Sequence, residues 1–90
     1  MKKPTGGLAE QASELDLHAL TVEEAIPRLE KFLHDAYAAG WPAVLVVHGK
    51  GTGTLRLEVR RYLTRHPLVF RAGEADKFHG GAGATRVIFR

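Results

Sequence analysis

The spacing of apolar residues changes period repeatedly along this chain, and each change marks the boundary of an element. Glu14-Leu15-Asp16-Leu17-His18 alternates polar and apolar, the period of a half-buried strand. Leu15 and Leu17 would face a core, with Asp16 and His18 together on the other side. From Thr21 the period becomes helical: Val22, Ala25, Ile26, Leu29, Leu33, Ala36 and Tyr37 recur at three- and four-residue steps. Glu23, Arg28, Glu30, Lys31, His34 and Asp35 fill the opposite face. Thr21-Val22-Glu23-Glu24 has the spacing of a capping box, and Gly40 is a natural stop before Trp41-Pro42. Pro27 falls inside the pattern, where it removes a backbone hydrogen bond at a cost of about 3 kcal/mol. The unbroken stripe predicts one locally kinked helix rather than two.

Ala43 to His48 is a continuous apolar run, as a central parallel strand covered on both faces would show. Leu55, Val59, Tyr62, Leu63 and His66 mark a second helical stripe, which Pro67 ends. Arg60, Arg61 and Arg65 fall mostly off that stripe and read as a solvated face. Leu68 to Ala72 reads as a third strand, residues 73–83 as a mobile loop, and Ala84 to Arg90 as the last strand. Val87 and Phe89 would lie on one face of it, Arg86, Ile88 and Arg90 on the other. Residues 1–13 carry no period and hold Pro4, Gly6 and Gly7, so they read as a flexible tail or linker before one domain over 14–90.

The order β-α-β-α-β-β predicts an α/β fold of the α+β two-layer sandwich kind, with two helices on a four-stranded mixed sheet. A crossover through the first helix would set strands one and two parallel, with their carboxyl ends at the edge where such folds collect ligands. Composition narrows the function classes. The absence of Cys excludes a disulfide scaffold and a thiolate metal site. No apolar run approaches the roughly 20 residues of a membrane span, and Met1-Lys2-Lys3-Pro4 lacks the apolar core of a signal peptide. The expectation is a soluble cytoplasmic protein with no membrane partner. Charge is uneven: residues 1–40 hold 4 basic and 7 acidic side chains, residues 41–90 hold 9 basic and 3 acidic. The second half therefore presents a basic surface to a polyanion.

Candidate chemistry gathers at one edge. His18 ends the first strand; His48 ends the second and opens Gly49-Lys50-Gly51-Thr52-Gly53, which feeds the second helix through Thr54, Leu55 and Arg56. Bare backbone at a helix N-terminus suits an anion, because free N–H groups and the helix dipole both favour negative charge. Turn geometry accounts readily for one glycine but hardly for three in alternation, which favours phosphate contact. Lys50 precedes most of the glycines, so a Walker loop is excluded, and a dinucleotide fingerprint needs more βαβ structure than the chain holds. An imidazole titrates near neutral pH and suits proton transfer, with Asp16 placed to orient it. Asp16, His18 and His48 could equally hold a divalent metal ion.

These residues resemble the Smr (small MutS-related) domain. Leu15-Asp16-Leu17-His18 and His48-Gly49-Lys50-Gly51-Thr52-Gly53-Thr54-Leu55-Arg56 match its two motifs, and the order of elements agrees over about residues 14–90. The resemblance implies a nicking endonuclease acting on DNA, including branched recombination intermediates, or on RNA. On matching positions it implies Asp16, His18 and His48 as catalytic residues. Gly49, Gly51, Gly53 and Arg56 follow as site residues, which the residue chemistry extends with Lys50 and Thr52 to a phosphate-binding loop. It further implies a bacterial parent protein, a MutS paralogue that suppresses homologous recombination and rescues collided ribosomes. ATP would enter only through that parent's other domains, and the parent would be a homodimer. The alternative is a nucleic-acid- or ribosome-binding module without efficient cleavage. One position departs from the family: Ala19 stands where glycine is usual, which restricts the backbone after His18.

Overall fold

A computed structural model describes residues 13–90. The predicted tail therefore lies outside the described residues, except for Ser13, whose carbonyl accepts the Leu45 N–H at 2.9 Å and so already belongs to the sheet. The elements are β1 (Glu14–Asp16), α1 (Val22–Ala39), β2 (Ala43–Val47), α2 (Thr54–Thr64), β3 (Val69–Glu74) and β4 (Ala84–Phe89). They form one four-stranded mixed sheet in the order β1-β2-β4-β3. β1 runs parallel to β2, whereas β4 is inserted antiparallel between β2 and β3.

Local signals explain where α1 begins and ends. The Thr21 side chain accepts the Glu24 N–H while the Glu24 carboxylate accepts the Thr21 N–H, completing the predicted capping box. At the other end Gly40 takes φ 91°, and the Gly40 and Trp41 N–H groups bond back to the carbonyls of Tyr37 and Ala36. The helix is continuous through Pro27. With α2 it covers one face of the sheet, where Leu17, Leu29, Leu33, Val44, Val46, Val59, Leu63, Val87 and Phe89 form the main core. Truncating Leu29 or Leu33 to Ala would cost about 2–5 kcal/mol, since each is fully buried.

On the opposite face Leu45 is buried with Ala75 and with Ala84 of β4, and Val47 packs against them, so the run is covered on both sides as expected. The segment after β3, expected as a mobile loop, has local structure. It folds into two short 3-10 turns, Lys77–His79 and Gly81–Gly83, the first capped by the Asp76 carboxylate accepting the Phe78 N–H. β3 starts and ends slightly later than expected, at Val69–Glu74, and carries a bulge between Val69 and Arg71. That bulge leaves Phe70 exposed. Among the described residues no helix is long and apolar enough to cross a membrane.

Candidate phosphate-handling site

The parallel pairing of β1 and β2 brings both motifs to one sheet edge. The Leu17 N–H extends the ladder to Val47 at 2.7 Å, so His18 and His48 leave the sheet side by side. They then diverge in environment. The Asp16 carboxylate accepts the His18 backbone N–H at 3.0 Å and the ring Nδ1–H at 2.7 Å. These two bonds hold the Asp16 carboxyl below its ordinary value, the backbone bond contributing most, and burial opposes them weakly. Asp16 is therefore an anion at neutral pH. With Nδ1 engaged and 66% of the side chain exposed, His18 turns Nε2 to solvent.

His48 takes the other part. Its ring is buried, Nδ1 lies 2.9 Å from the Gly49 carbonyl, and Nε2 lies 2.8 Å from Thr85 Oγ1. A carbonyl only accepts, so Nδ1 carries the proton and Nε2 accepts the Thr85 hydroxyl. Thr85 Oγ1 in turn accepts Arg60 Nε–H at 3.0 Å. Burial lowers the His48 pKa, the Arg60 and Arg56 charges lower it further, and the Gly49 bond partly opposes them. The ring is thus neutral and occupied at both nitrogens. It sits behind the Gly-rich loop as a brace, with neither lone pair nor proton directed to solvent.

The loop itself is shaped by backbone conformation more than expected. Gly49, Gly51 and Gly53 all have positive φ, at 76°, 38° and 89°. The alternation of three glycines therefore follows from turn geometry, which was expected to account for one. Gly49 also lies against β1's end: a Cβ there would come 3.5 Å from His18 Cβ. The Gly83 carbonyl pins the loop by accepting both the His48 and the Gly49 N–H, at 3.0 and 2.9 Å. Lys50 and Thr52 are exposed. Gly53 caps α2 without a side-chain acceptor, and the Arg56 guanidinium lies over it, 3.8 Å from where a Gly53 Cβ would stand. The first turn of α2 contains no acidic residue, so nothing there offsets the positive end of the helix or Arg56.

The structure thus brings Asp16, His18, Gly49, Lys50, Gly51, Thr52, Gly53 and Arg56 to one rim, with His48 beneath it. Asp16, His18 and His48 do not form a three-ligand metal set: among the described residues only Glu30, His34 and His66 converge that way. His48 is turned inward to Thr85 and Gly49, which separates it from the exposed pair. Arg60 departs from the expected solvated face, because it bends under α2 to Thr85. Sequence reading missed Thr85 altogether and took Gly83 only as one glycine of the loop before the last strand. The one available signal was that Thr85 is polar at an inward position of β4, in step with Val87 and Phe89.

A parallel β1-β2 pair meeting a glycine-shaped loop at the sheet edge, backed by helices on one side only, defines a small α+β domain. The chain belongs to the Smr domain family, which it matches over residues 15–90. Over 76 residues it is 50% identical to the Endonuclease MutS2 of a Geobacillus species (strain WCH70), covering 82% of this chain but 9% of that protein. The solved Smr domain of Thermus thermophilus MutS2 superposes with a TM-score of 0.84 at 39% identity, over 88% of this chain and 99% of that one. YdaL, a stand-alone small MutS-related protein from Escherichia coli, superposes with a TM-score of 0.83 at 34% identity, over 99% and 72%.

Proposed function

We propose that this domain is a nicking endonuclease that cleaves phosphodiester bonds of DNA, with His18 as the general base. The observation that carries this reading is the Asp16–His18 pair: a carboxylate 2.7 Å from Nδ1, with Nε2 left free on an exposed ring beside the glycine loop. Nε2 takes the proton of an attacking water, or of a ribose 2′-hydroxyl on RNA. Asp16 stabilises the imidazolium that forms. Lys50, Arg56 and the N–H groups at the start of α2 carry the charge that builds on the phosphate. His48 acts as a positioning residue: through Gly49 it holds the loop, and through Thr85 it meets Arg60. The names of the MutS2 relatives support the nuclease class, and the neutral, internally bonded ring supports the division of labour between the two histidines.

The test is nicking of supercoiled plasmid by the purified chain, with and without chelator, beside His18→Ala, Asp16→Asn and His48→Gln. His18→Ala should lose at least the roughly 10²-fold that general-base catalysis supplies. Unchanged nicking by that variant would remove His18 from the chemistry. Lys50→Ala and Arg56→Ala should each reduce the slope of log affinity against log salt by about 0.9 on duplex DNA. An unaltered slope would show that neither touches phosphate. Tight binding by an unmodified chain that does not cut would favour the binding-module alternative.

A further inference from the structure

A second cluster lies at the other end of α2, away from the glycine loop. Glu30 and His34 share one face of α1 four residues apart, and His66 follows the C-terminus of α2. Glu30 Oε2 is 2.6 Å from His34 Nε2, and Glu30 Oε1 is 2.8 Å from His66 Nε2. The three ligand atoms all lie within 4.8 Å of one another. Above them opens a groove of about 570 Å³, lined also by Ile26, Glu58, Arg61, Tyr62, Arg65 and Pro67. His66 is held in place at 5% side-chain exposure, whereas His34 is 59% exposed.

We propose that Glu30, His34 and His66 bind a borderline transition-metal dication of the Zn²⁺ or Co²⁺ kind. Two imidazoles and one carboxylate suit such an ion better than Mg²⁺ or Ca²⁺, which prefer oxygen ligands throughout. Three protein ligands leave a fourth, tetrahedral position for water, and the groove has room for it. The ion takes the place of the hydrogen on both Nε2 atoms, whose lone pairs turn to the ion; the rings change tautomer, and in each that hydrogen passes through water to Nδ1. On His34 that nitrogen is open to water. On His66 it now accepts the Leu68 N–H at 3.2 Å, so loading releases that bond. The ion thereby ties α1 to the end of α2, and stabilises the fold by its differential affinity for the native state.

The experiment uses the whole chain stripped with chelator at neutral pH, titrated with Zn²⁺ against a chromophoric chelator and with Co²⁺ followed by its visible absorption. The expected result is one ion per chain, a tetrahedral Co²⁺ spectrum and a raised Tm. The Leu68 amide should exchange faster in the loaded protein. His34→Ala and Glu30→Gln should each weaken binding by at least the roughly 10- to 100-fold that losing even an outer partner of a metal ligand costs. His34 is exposed, and circular dichroism would verify that its variant folds. His18→Ala and His79→Ala, which disrupt the two other His–Asp pairs, should leave affinity unchanged. The absence of saturable binding would overturn the proposal. So would equal affinity in His34→Ala, or loss of binding in His18→Ala or His79→Ala. None of these readouts depends on cleavage, so they stand apart from the nuclease reading.

Discussion

Ala19→Gly is expected to stabilise the domain by relieving a strain that the backbone displays. Ala19 has φ 66° and is the only non-glycine residue with positive φ among the described residues. It is the third residue of a turn closed by the Leu20 N–H on the Leu17 carbonyl at 3.2 Å. Its Cβ crowds the following carbonyl in that conformation, at a cost of roughly 1–2 kcal/mol. Glycine removes this cost but adds unfolded-state entropy worth about 0.4–1 kcal/mol. The net gain is about 0.5–1 kcal/mol. For a domain of this size, each kcal/mol moves Tm by about 4–8 °C, so the variant should melt about 2–8 °C higher. Thermal unfolding by circular dichroism, paired with a urea titration, measures this directly. Ala19→Val should act oppositely, because a branched side chain suffers more at positive φ. A Tm that is unchanged or lower in Ala19→Gly would refute the reasoning. The same turn carries His18, so any change in cleavage by Ala19→Gly also reports how strongly this backbone sets the exposed ring.

Other expectations concern the brace beneath the loop and the groove behind it. Thr85→Val should cost about 1–3 kcal/mol in urea denaturation, because it leaves the buried His48 Nε2 and Arg60 Nε without partners. Gly49→Ala should lower stability by about 0.5–1 kcal/mol, the strain at its φ of 76° less the unfolded-state entropy that alanine removes, since the new methyl makes only an ordinary 3.5 Å contact with His18. The depressed His48 pKa means the unfolded chain binds a proton below about pH 6.5 that the folded chain refuses, so stability falls as pH drops through that window. His48→Gln should flatten the slope there, while Asp16 and Glu30, also depressed, contribute losses only at lower pH, where carboxylates protonate. Burial and the Glu30 carboxylate push the Tyr62 phenol up to about 12. An ultraviolet titration should show one late-ionising tyrosine that Glu30→Gln brings back toward 10.

Features encoded within a few residues were legible in the sequence, and those assembled across the sheet were not. The capping box of Thr21 and Glu24, the stop at Gly40 and the stripe of Leu29 and Leu33 all follow from neighbours on the same helix. The convergence of Asp16 and His18 with the loop needed only one parallel crossover. Arg60 looked solvated because its position on a helical wheel carries no trace of Thr85, which arrives 25 residues later on another element. The inward bonding of His48 was hidden for the same reason: its partners are a backbone carbonyl and that same threonine. Glu30 and His34 were placed on an exposed face, and they do lie on it. The close approach of α2 turns its flank into one wall of a groove.

The strand order has a consequence for assembly. The strand latest in the domain's sequence occupies an inner place in its sheet, so the β2 edge stays open until β4 pairs with it, alone or already joined to β3. Closure of the sheet and completion of the loop are then a single event, because β4 begins at Ala84, just after the Gly83 carbonyl that pins the loop and just before Thr85. A state in which β4 is not docked on β2 should lack the bonds that pin the glycine loop, however complete its helices are. A lesion at Ala84 or Thr85 would reach the glycine loop first, whereas one at Val87 or Phe89 would strike the helical core.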